Sequence, residues 1–172
     1  TADKGLAGAY NHNVLKLAEE ELEKSEEWNL FVVGELGRQY FAGKKIAVDE
    51  HFLYTAQHPT FDRARVITSK LLEAYDNGEL DEIDIIFTSM KNGMQSETKM
   101  ERLLPLTQQD FSNHLQHTAG VMQEEFIFSP SPQAVLESVV PNYITGYIFG
   151  ALVESFCSEH NARMMAMEAA ND

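Results

Sequence analysis

The chain has 172 residues, of which 44% are hydrophobic, so it can bury a normal core and most simply forms one domain. Its formal net charge of −14 argues against binding to nucleic acid or to an anionic lipid surface, because both need clustered Lys and Arg side chains. No apolar run is long enough to span a bilayer, no signal-peptide pattern opens the chain, and both ends look like cuts in a longer polypeptide.

The first predicted element is a helix capped by Asn11 or Asn13, with one apolar face and one strongly acidic face. The apolar face carries Val14, Leu15, Ala18 and Leu22, and the acidic face, which we expect to be solvated, carries Glu19, Glu20, Glu23, Glu26 and Glu27. Residues 28–33 then predict a buried strand, residues 37–41 a short helix and residues 46–48 a second short strand.

Thr60 predicts the N-cap of a strong helix that runs through Tyr75 and ends at Asn77-Gly78. Residues 82–89 form the clearest strand pattern in the chain. Further strands are predicted for residues 99–106, closed by Pro105, and for residues 125–128.

The last two predicted elements are helices. Ser131 caps the first of them, which has Pro132 at its first position and ends at Pro141. A terminal helix over residues 142–172 would be about 46 Å long, more than a compact domain of this size spans. This helix is therefore expected either to break near Gly146 and Gly150 or to pack, at its far end, against a segment outside this chain.

Strands that alternate with helices in this way predict an α/β sheet with helices on its faces. Cys157 is the single cysteine, so no internal disulfide is possible, and its helical apolar surroundings predict a buried thiol in a reducing compartment.

Residues 3–11 form a glycine-rich turn ahead of a helix, which raises the question of phosphate binding. A P-loop needs a Lys-Ser/Thr pair after its last glycine, and a dinucleotide fingerprint needs three glycines, of which only a Gly-x-x-Gly remnant is present. A tight turn that requires positive φ is the favoured interpretation, and nucleotide binding is the alternative.

Three other groups of side chains were weighed as functional sites. His114 and His117, with Asp110 before them, could share one helix face as metal ligands, but no zinc-protease pattern completes the set. Cys157 and His160 lack an orienting third residue and a cleft. The cluster of Met164, Met165 and Met167 fits a flexible docking face or a plain helix-packing stripe equally well. These residues support no catalytic set.

Two motifs near the ends of the chain are specific enough to indicate a family. Residues 158–170 read Ser-Glu-His-Asn-Ala-Arg-Met-Met-Ala-Met-Glu-Ala-Ala, and residues 3–11 read Asp-Lys-Gly-Leu-Ala-Gly-Ala-Tyr-Asn. The first closely resembles the start of the C-terminal helix of the gamma subunit of F-type ATP synthase, and the second is similar to a turn of that family. Residues 33–38 and 126–136 match more weakly and in register, whereas residues 92–124 match poorly.

The resemblance implies a three-layer Rossmann-like domain with a mostly parallel sheet over residues 1–141. The start of the C-terminal coiled-coil helix follows over residues 142–172, and the N-terminal helix and the rest of the C-terminal helix lie outside this chain. The implied function is that of a non-catalytic rotor subunit in the central stalk, which couples ion flow through the membrane ring to ATP synthesis in the catalytic hexamer. No cofactor or metal is implied.

The implied partners are the epsilon subunit, the c-ring and, through the missing coiled coil, the alpha and beta subunits. The implied location is the F1 sector, peripheral to the cytoplasmic face of a bacterial plasma membrane, because the two-cysteine insert of chloroplast homologues is absent. Candidate interface residues are Tyr143, Tyr147 and Ile148 at the foot of the terminal helix, and Arg163, Met164 and Met167 for helix pairing.

Two alternatives remain beside the rotor subunit. One is a nucleotide- or metabolite-binding α/β enzyme that uses the turn of residues 3–8 and a pocket not evident from the sequence. The other is a response-regulator-like module, but Asp49, Asp81 and Asp84 are not placed as its acidic phosphoacceptor cluster requires.

Overall fold

The computed structural model describes residues 1–53, 55–92, 95–106 and 131–171. The described helices are α1 (Tyr10–Leu22), α2 (Glu35–Gly43), α3 (Phe61–Asp76) and α4 (Pro132–Glu168), and the described strands are β1 (Phe31–Val33), β2 (Glu50–Phe52), β3 (Ile83–Asn92) and β4 (Gln95–Leu104). The predicted α/β class is confirmed. The strand predicted for residues 125–128 lies outside the described residues.

Strands β1 and β2 form a parallel pair in which Phe31 lies opposite Glu50 and Val33 opposite Phe52. The prediction of a strand at residues 46–48 was wrong, because the pairing begins two residues further along the chain. Ile46 and Val48 are apolar for a different reason: they pack as loop residues against the small core cluster of Leu15, Val32 and Phe41.

Strands β3 and β4 form an antiparallel hairpin that the sequence did not predict. Its register runs from Ile83 opposite Leu104 to Asn92 opposite Gln95. The predicted strands at residues 82–89 and 99–106 cover the apolar halves of β3 and β4. The polar halves near the turn lack apolar alternation, and for that reason they gave no strand signal.

The helix starts follow local hydrogen bonding. The hydroxyl of Thr60 accepts a bond from the backbone N–H of Arg63 at 3.3 Å, which confirms the predicted cap of α3. The predicted cap of α1 by Asn11 or Asn13 was wrong, since α1 begins at Tyr10 without a side-chain cap. Asn11 instead accepts a bond from the backbone N–H of Ala2 at 2.8 Å.

Helix α4 is a single helix of 37 residues that begins at Pro132 and passes through Pro141. The predicted end at Pro141 was therefore wrong, and no break occurs at Gly146 or Gly150. One turn after Pro141, the hydroxyl of Thr145 donates a hydrogen bond to the Pro141 carbonyl at 2.7 Å. At 1.5 Å per residue this helix is about 55 Å long. The predicted division of the chain at residue 141 does not coincide with a helix end, and it stays a prediction.

The main core lies where α3 and α4 pack with the hairpin. Its buried members are Phe52, Ala64, Ile67, Leu71, Ile83, Leu103, Leu104, Ile144 and Ile148. Helix α4 contributes Ile144 and Ile148, which are 1% and 2% exposed. Burial of this apolar surface explains why the helix continues through a proline, since the core holds both sides of Pro141 in place.

Candidate functional site

The far half of α4 meets the first residues of the chain in a region that we call the junction. It consists of the N-terminal turn (residues 1–8), the turn that follows β1 (residues 33–37), and residues 155–163 of α4. The two motifs that gave the family resemblance both lie here, although about 150 residues separate them in the sequence.

Hydrogen bonds hold the N-terminal turn against the turn that follows β1. The Thr1 hydroxyl donates to the Val33 carbonyl at 2.8 Å and accepts from the Gly37 N–H at 3.0 Å. The Leu36 N–H donates to the Ala2 carbonyl at 3.1 Å. These bonds extend the parallel sheet region with irregular backbone and fix the position of the N-terminal turn.

This close approach requires glycine at position 34. Gly34 has φ of +95°, and a Cβ there would lie 2.2 Å from the carbonyl oxygen of Thr1 and 2.9 Å from that of Ala2. Both neighbours are backbone atoms, which cannot rotate away as a side chain could. The predicted strand over residues 28–33 stops just before Gly34, and local sequence gave no sign of this role.

The glycine-rich turn of residues 3–8 has the positive φ that we predicted. Gly8 has φ of +52° and Leu6 has φ of +62°. The guanidinium of Arg163 donates to the carbonyls of Lys4 and Gly5 at 3.4 and 3.3 Å. The turn therefore presents carbonyl oxygens to a cation, whereas a phosphate site presents N–H groups.

Two open depressions on the surface of the described residues lie away from this turn. One of about 320 Å³ is lined by residues of β2 and α3, including His51, Arg63 and Lys70, and a second of about 320 Å³ is lined by residues 29–31, 49–50 and 70–80. Neither includes the turn on which the nucleotide-binding alternative depends, so they give that alternative no support.

A set of polar side chains, which we call the α4 polar network, fills the junction. Its members are Tyr10, Thr88, Ser155, Ser158, Glu159 and Arg163. Ser155 accepts a bond from the Thr88 N–H at 3.4 Å, and Ser158 donates to the Thr88 carbonyl at 3.4 Å. Two serines one turn apart on α4 therefore engage both backbone groups of one residue of β3.

The charged part of the α4 polar network is nearly buried. Glu159 is 5% exposed and forms an ion pair with Arg163, whose side chain is 20% exposed. Burial raises the pKa of Tyr10 to about 12, and this is opposed by its hydrogen bond with Ser155 and reinforced by the negative charge of Glu159. Within the described residues, the Asp3 Oδ2 atom is buried without a hydrogen-bond partner.

The three predicted foot residues, Tyr143, Tyr147 and Ile148, are buried to different degrees. Ile148 is a core residue, so its side chain is covered by the domain itself rather than free for a partner. Tyr143 and Tyr147 are partly buried against the same core. The Tyr147 ring meets Phe87 edge-on at a centroid distance of 6.3 Å and lies 6.4 Å from the Tyr143 ring.

The predicted helix-pairing residues also differ among themselves. Met164 and Met167 are 55% and 52% exposed, as is Met165 at 47%. Arg163 instead points back to the N-terminal turn. Cys157 is exposed, so the prediction of a buried thiol was wrong: its position is turned about 100° around α4 from the buried Ser158.

No metal site or membrane span is found in the part of the chain that the structure describes. Within residues 1–53, 55–92, 95–106 and 131–171, no three His, Cys, Asp or Glu side chains are grouped as metal ligands. The same ranges contain no helix long and apolar enough to cross a bilayer. The candidate set of Asp110, His114 and His117 lies outside the described residues.

Sequence reasoning missed most of the α4 polar network. The sequence assigned no contact to Ser155 or Ser158, and Thr88 was one position in a predicted strand. The one available signal was the pattern of polar residues that interrupts the apolar stripe of α4 at residues 158–160, which breaks helical periodicity where the helix leaves the core.

Comparison with known proteins indicates the same family as the two motifs, and it does so over the whole chain. A model of the ATP synthase family matches residues 1–172. The ATP synthase gamma chain of Caldanaerobacter subterraneus subsp. tengcongensis is 47% identical over 99% of this chain and 59% of its own length. That of Ruminiclostridium cellulolyticum is 40% identical, over 98% of this chain and 58% of its own length.

A solved structure shares the fold. The central stalk and c-ring structure of the Tetrahymena thermophila mitochondrial ATP synthase contains a chain that matches with a TM-score of 0.72 at 24% identity. The match covers 100% of the present chain and 74% of the other. The expected fold, an α/β domain with a parallel strand pair and a long C-terminal helix, is confirmed by this match and by the described elements.

These findings show that the chain belongs to the ATP synthase family. Within that family it is similar to gamma chains, which confirms the resemblance found in the motifs of residues 3–11 and 158–170. The chain spans about 59% of the length of the curated relatives it matches.

Proposed function

We propose that this chain is the globular part of a central-stalk rotor subunit, which couples ion flow through a membrane ring to ATP synthesis in a catalytic hexamer. The observation that carries the proposal is the course of α4. It is anchored in the core through Ile144 and Ile148 and then continues beyond the core to Glu168. A helix that is fixed at one end and extends from its domain at the other has the form of a drive shaft.

The far end of α4 supports pairing with a second helix. Met164 and Met167 lie one turn apart and are both about half exposed, although they are apolar. A stripe of this kind on an extended helix is typical of a helix–helix interface. We propose that the partner is another helix of the same subunit, and that the pair engages the alpha and beta subunits.

The subunit is non-catalytic in this proposal. The described residues offer no nucleophile with a base, the glycine-rich turn presents carbonyls, and the surface depressions lie elsewhere. The domain rests on the c-ring and binds the epsilon subunit, with Tyr143 and Tyr147 as candidate contacts at the foot. We place the protein in the F1 sector, peripheral to the cytoplasmic face of a bacterial plasma membrane.

A rotation assay tests the proposal. The full-length subunit is assembled with its alpha and beta subunits, and a bead on the globular domain should turn when ATP is supplied. The double substitution Met164→Lys and Met167→Lys should block assembly, because it places two charges in an apolar helix pair. The matched control is Val66→Lys, at a valine that is 54% exposed on α3, and it should assemble normally.

Calorimetry separates this function from the alternative enzyme. Isolated chain titrated with ATP, ADP or NAD should release no binding heat. Micromolar affinity for any of these three would contradict a purely mechanical role.

A further inference from the structure

The α4 polar network joins α4 to two separate parts of the domain. Ser155 and Ser158 bond to the backbone of Thr88 in β3, and Arg163 donates to the carbonyls of the N-terminal turn. These contacts lie around one short stretch of helix, at the point where α4 leaves the core.

Polar contacts constrain a helix in a way that apolar contacts do not. Close packing around Ile144 and Ile148 holds the near half of α4, but apolar burial itself is non-directional, so directional contacts add most where the helix leaves the core. Hydrogen bonds weaken steeply as their angle and distance change. With Cα atoms about 2.3 Å from the axis, a rotation of about 30° moves each of them by roughly 1.2 Å, and their side chains by more. Bonds of 3.4 Å to Thr88 would not survive that movement.

The arrangement also limits sliding along the helix axis. Ser155 accepts from the N–H of Thr88, and Ser158 donates to the carbonyl of the same residue. A shift of α4 along its axis therefore changes the geometry of both bonds at once. Arg163 supplies a contact on the N-terminal side of the junction, where its charge is balanced by the nearly buried Glu159.

We propose that the α4 polar network fixes the rotational position of α4 relative to the globular domain, so that torque passes between the helix and the domain without a change of angle. This inference rests on the proposed function as a rotor subunit. The members of the α4 polar network are positioning residues: they set the angle between α4 and the globular domain and contact no substrate. The bonds to Thr88 are long, so each one is weak, and the constraint depends on both of them acting together with the contacts of Arg163.

The test compares two attachment points for a bead in the full-length subunit assembled with its alpha and beta subunits. The first is Cys157, which is exposed on α4 itself. The second is on the domain, at Glu26→Cys in a chain that also carries Cys157→Ser; Glu26 is exposed just after α1. The quantity measured is the angular variance of the bead during a stalled dwell, which reports torsional stiffness up to the attachment point.

The substitutions are Ser155→Ala with Ser158→Ala, and separately Arg163→Lys. In each, the variance of the domain bead should rise about two-fold over the parent while that of the helix bead stays unchanged, because only the link between them is weakened. The thermal midpoint should stay within about 4 °C of the parent, as expected for loss of long, weak bonds. The matched control is Ser138→Ala, at an exposed serine of α4 whose hydroxyl donates to the Val135 carbonyl of its own helix, and it should change neither bead.

An unchanged variance of the domain bead in both variants would overturn the inference. If the double serine variant does not assemble, Arg163→Lys alone carries the same test, since it keeps the charge beside Glu159. Failure of the proposed function gives a different result: in that case the bead on the parent protein does not rotate with ATP at either attachment point.

Discussion

Replacement of Gly34 by alanine should be among the most damaging single-methyl changes in this chain. Gly34 lies between β1 and α2 with φ of +95°, and the added Cβ would approach the Thr1 carbonyl oxygen to 2.2 Å and its carbonyl carbon to 2.7 Å. Real Cβ atoms do not approach backbone atoms this closely, so either the turn of residues 33–37 or the N-terminal turn must move.

The magnitude can be worked from two contributions. A backbone with φ of +95° and ψ of +145° is a conformation that essentially only glycine adopts, and it costs an alanine about 1–3 kcal/mol. Movement of the N-terminal turn would also break the bonds from Leu36 N–H to Ala2, from Glu35 N–H to Asp3 and from Gly37 N–H to Thr1, at about 1 kcal/mol each. The expected loss in the free energy of unfolding is therefore about 4–6 kcal/mol, which lowers Tm by roughly 10–20 °C in a chain of this size.

Urea unfolding followed by circular dichroism measures this loss, and two other glycines separate its causes. Gly78 has φ of +72° with no atom within 4 Å of an added Cβ, so Gly78→Ala should show the backbone contribution alone, at about 1 kcal/mol. Gly146 lies inside α4 with equal space, and Gly146→Ala should stabilise by up to about 1 kcal/mol. The reasoning is refuted if Gly34→Ala costs no more than Gly78→Ala.

Three further predictions follow from burial and charge. Ile144→Ala should cost about 2–5 kcal/mol, since its side chain is 1% exposed, whereas Val139→Ala at a 51% exposed position of the same helix should cost under about 0.5 kcal/mol by urea unfolding. Burial raises the pKa of Tyr10 in the folded protein from 10.0 to about 12. The neutral side chain therefore makes its full contribution to the free energy of unfolding below pH 10, and this contribution is lost as the pH rises toward 12. Tyr10→Phe should therefore reduce the fall in stability between pH 9 and pH 11.5 by about 2 kcal/mol, and an equal fall in both proteins would count against it. Amide exchange of the monomeric chain should be fast at Met164 to Met167 and slow at Ile144, because a helix end without tertiary contacts is marginal in water; strong protection at the methionines would contradict this.

Local patterns were sufficient for the elements that depend on local chemistry. The cap of α3 by Thr60 and the positive φ of the glycine-rich turn were predicted from residue type alone and were confirmed. Both depend on groups within a few residues of one another. The errors fell where a distant contact decides the outcome: Ile46 and Val48 have a strand-like pattern but serve a loop that packs against Leu15 and Phe41.

In α4, too, contacts with distant residues overrule what the local sequence predicts. Pro141 predicted a helix end, because proline removes an N–H and restricts the residue before it. The core instead holds Ile144 and Ile148 on one continuous helix, and burial of these side chains outweighs the lost bond. The pairing role of Arg163 stays a prediction, and the tertiary structure adds that its guanidinium donates to carbonyls more than 150 residues away in the sequence.

The sequence by itself determined that this is an α/β domain with a long terminal helix and, through two short motifs, which family it belongs to. Periodicity, capping residues and glycine placement are properties of neighbouring residues, so they can be read along the chain. Only the tertiary structure decided that the two motifs meet, that Gly34 makes room for the N-terminal turn, and that Ser155 and Ser158 engage Thr88. These contacts depend on the relative positions of elements far apart in sequence, and the burial of Ile144 and Ile148 in a shared core sets those positions.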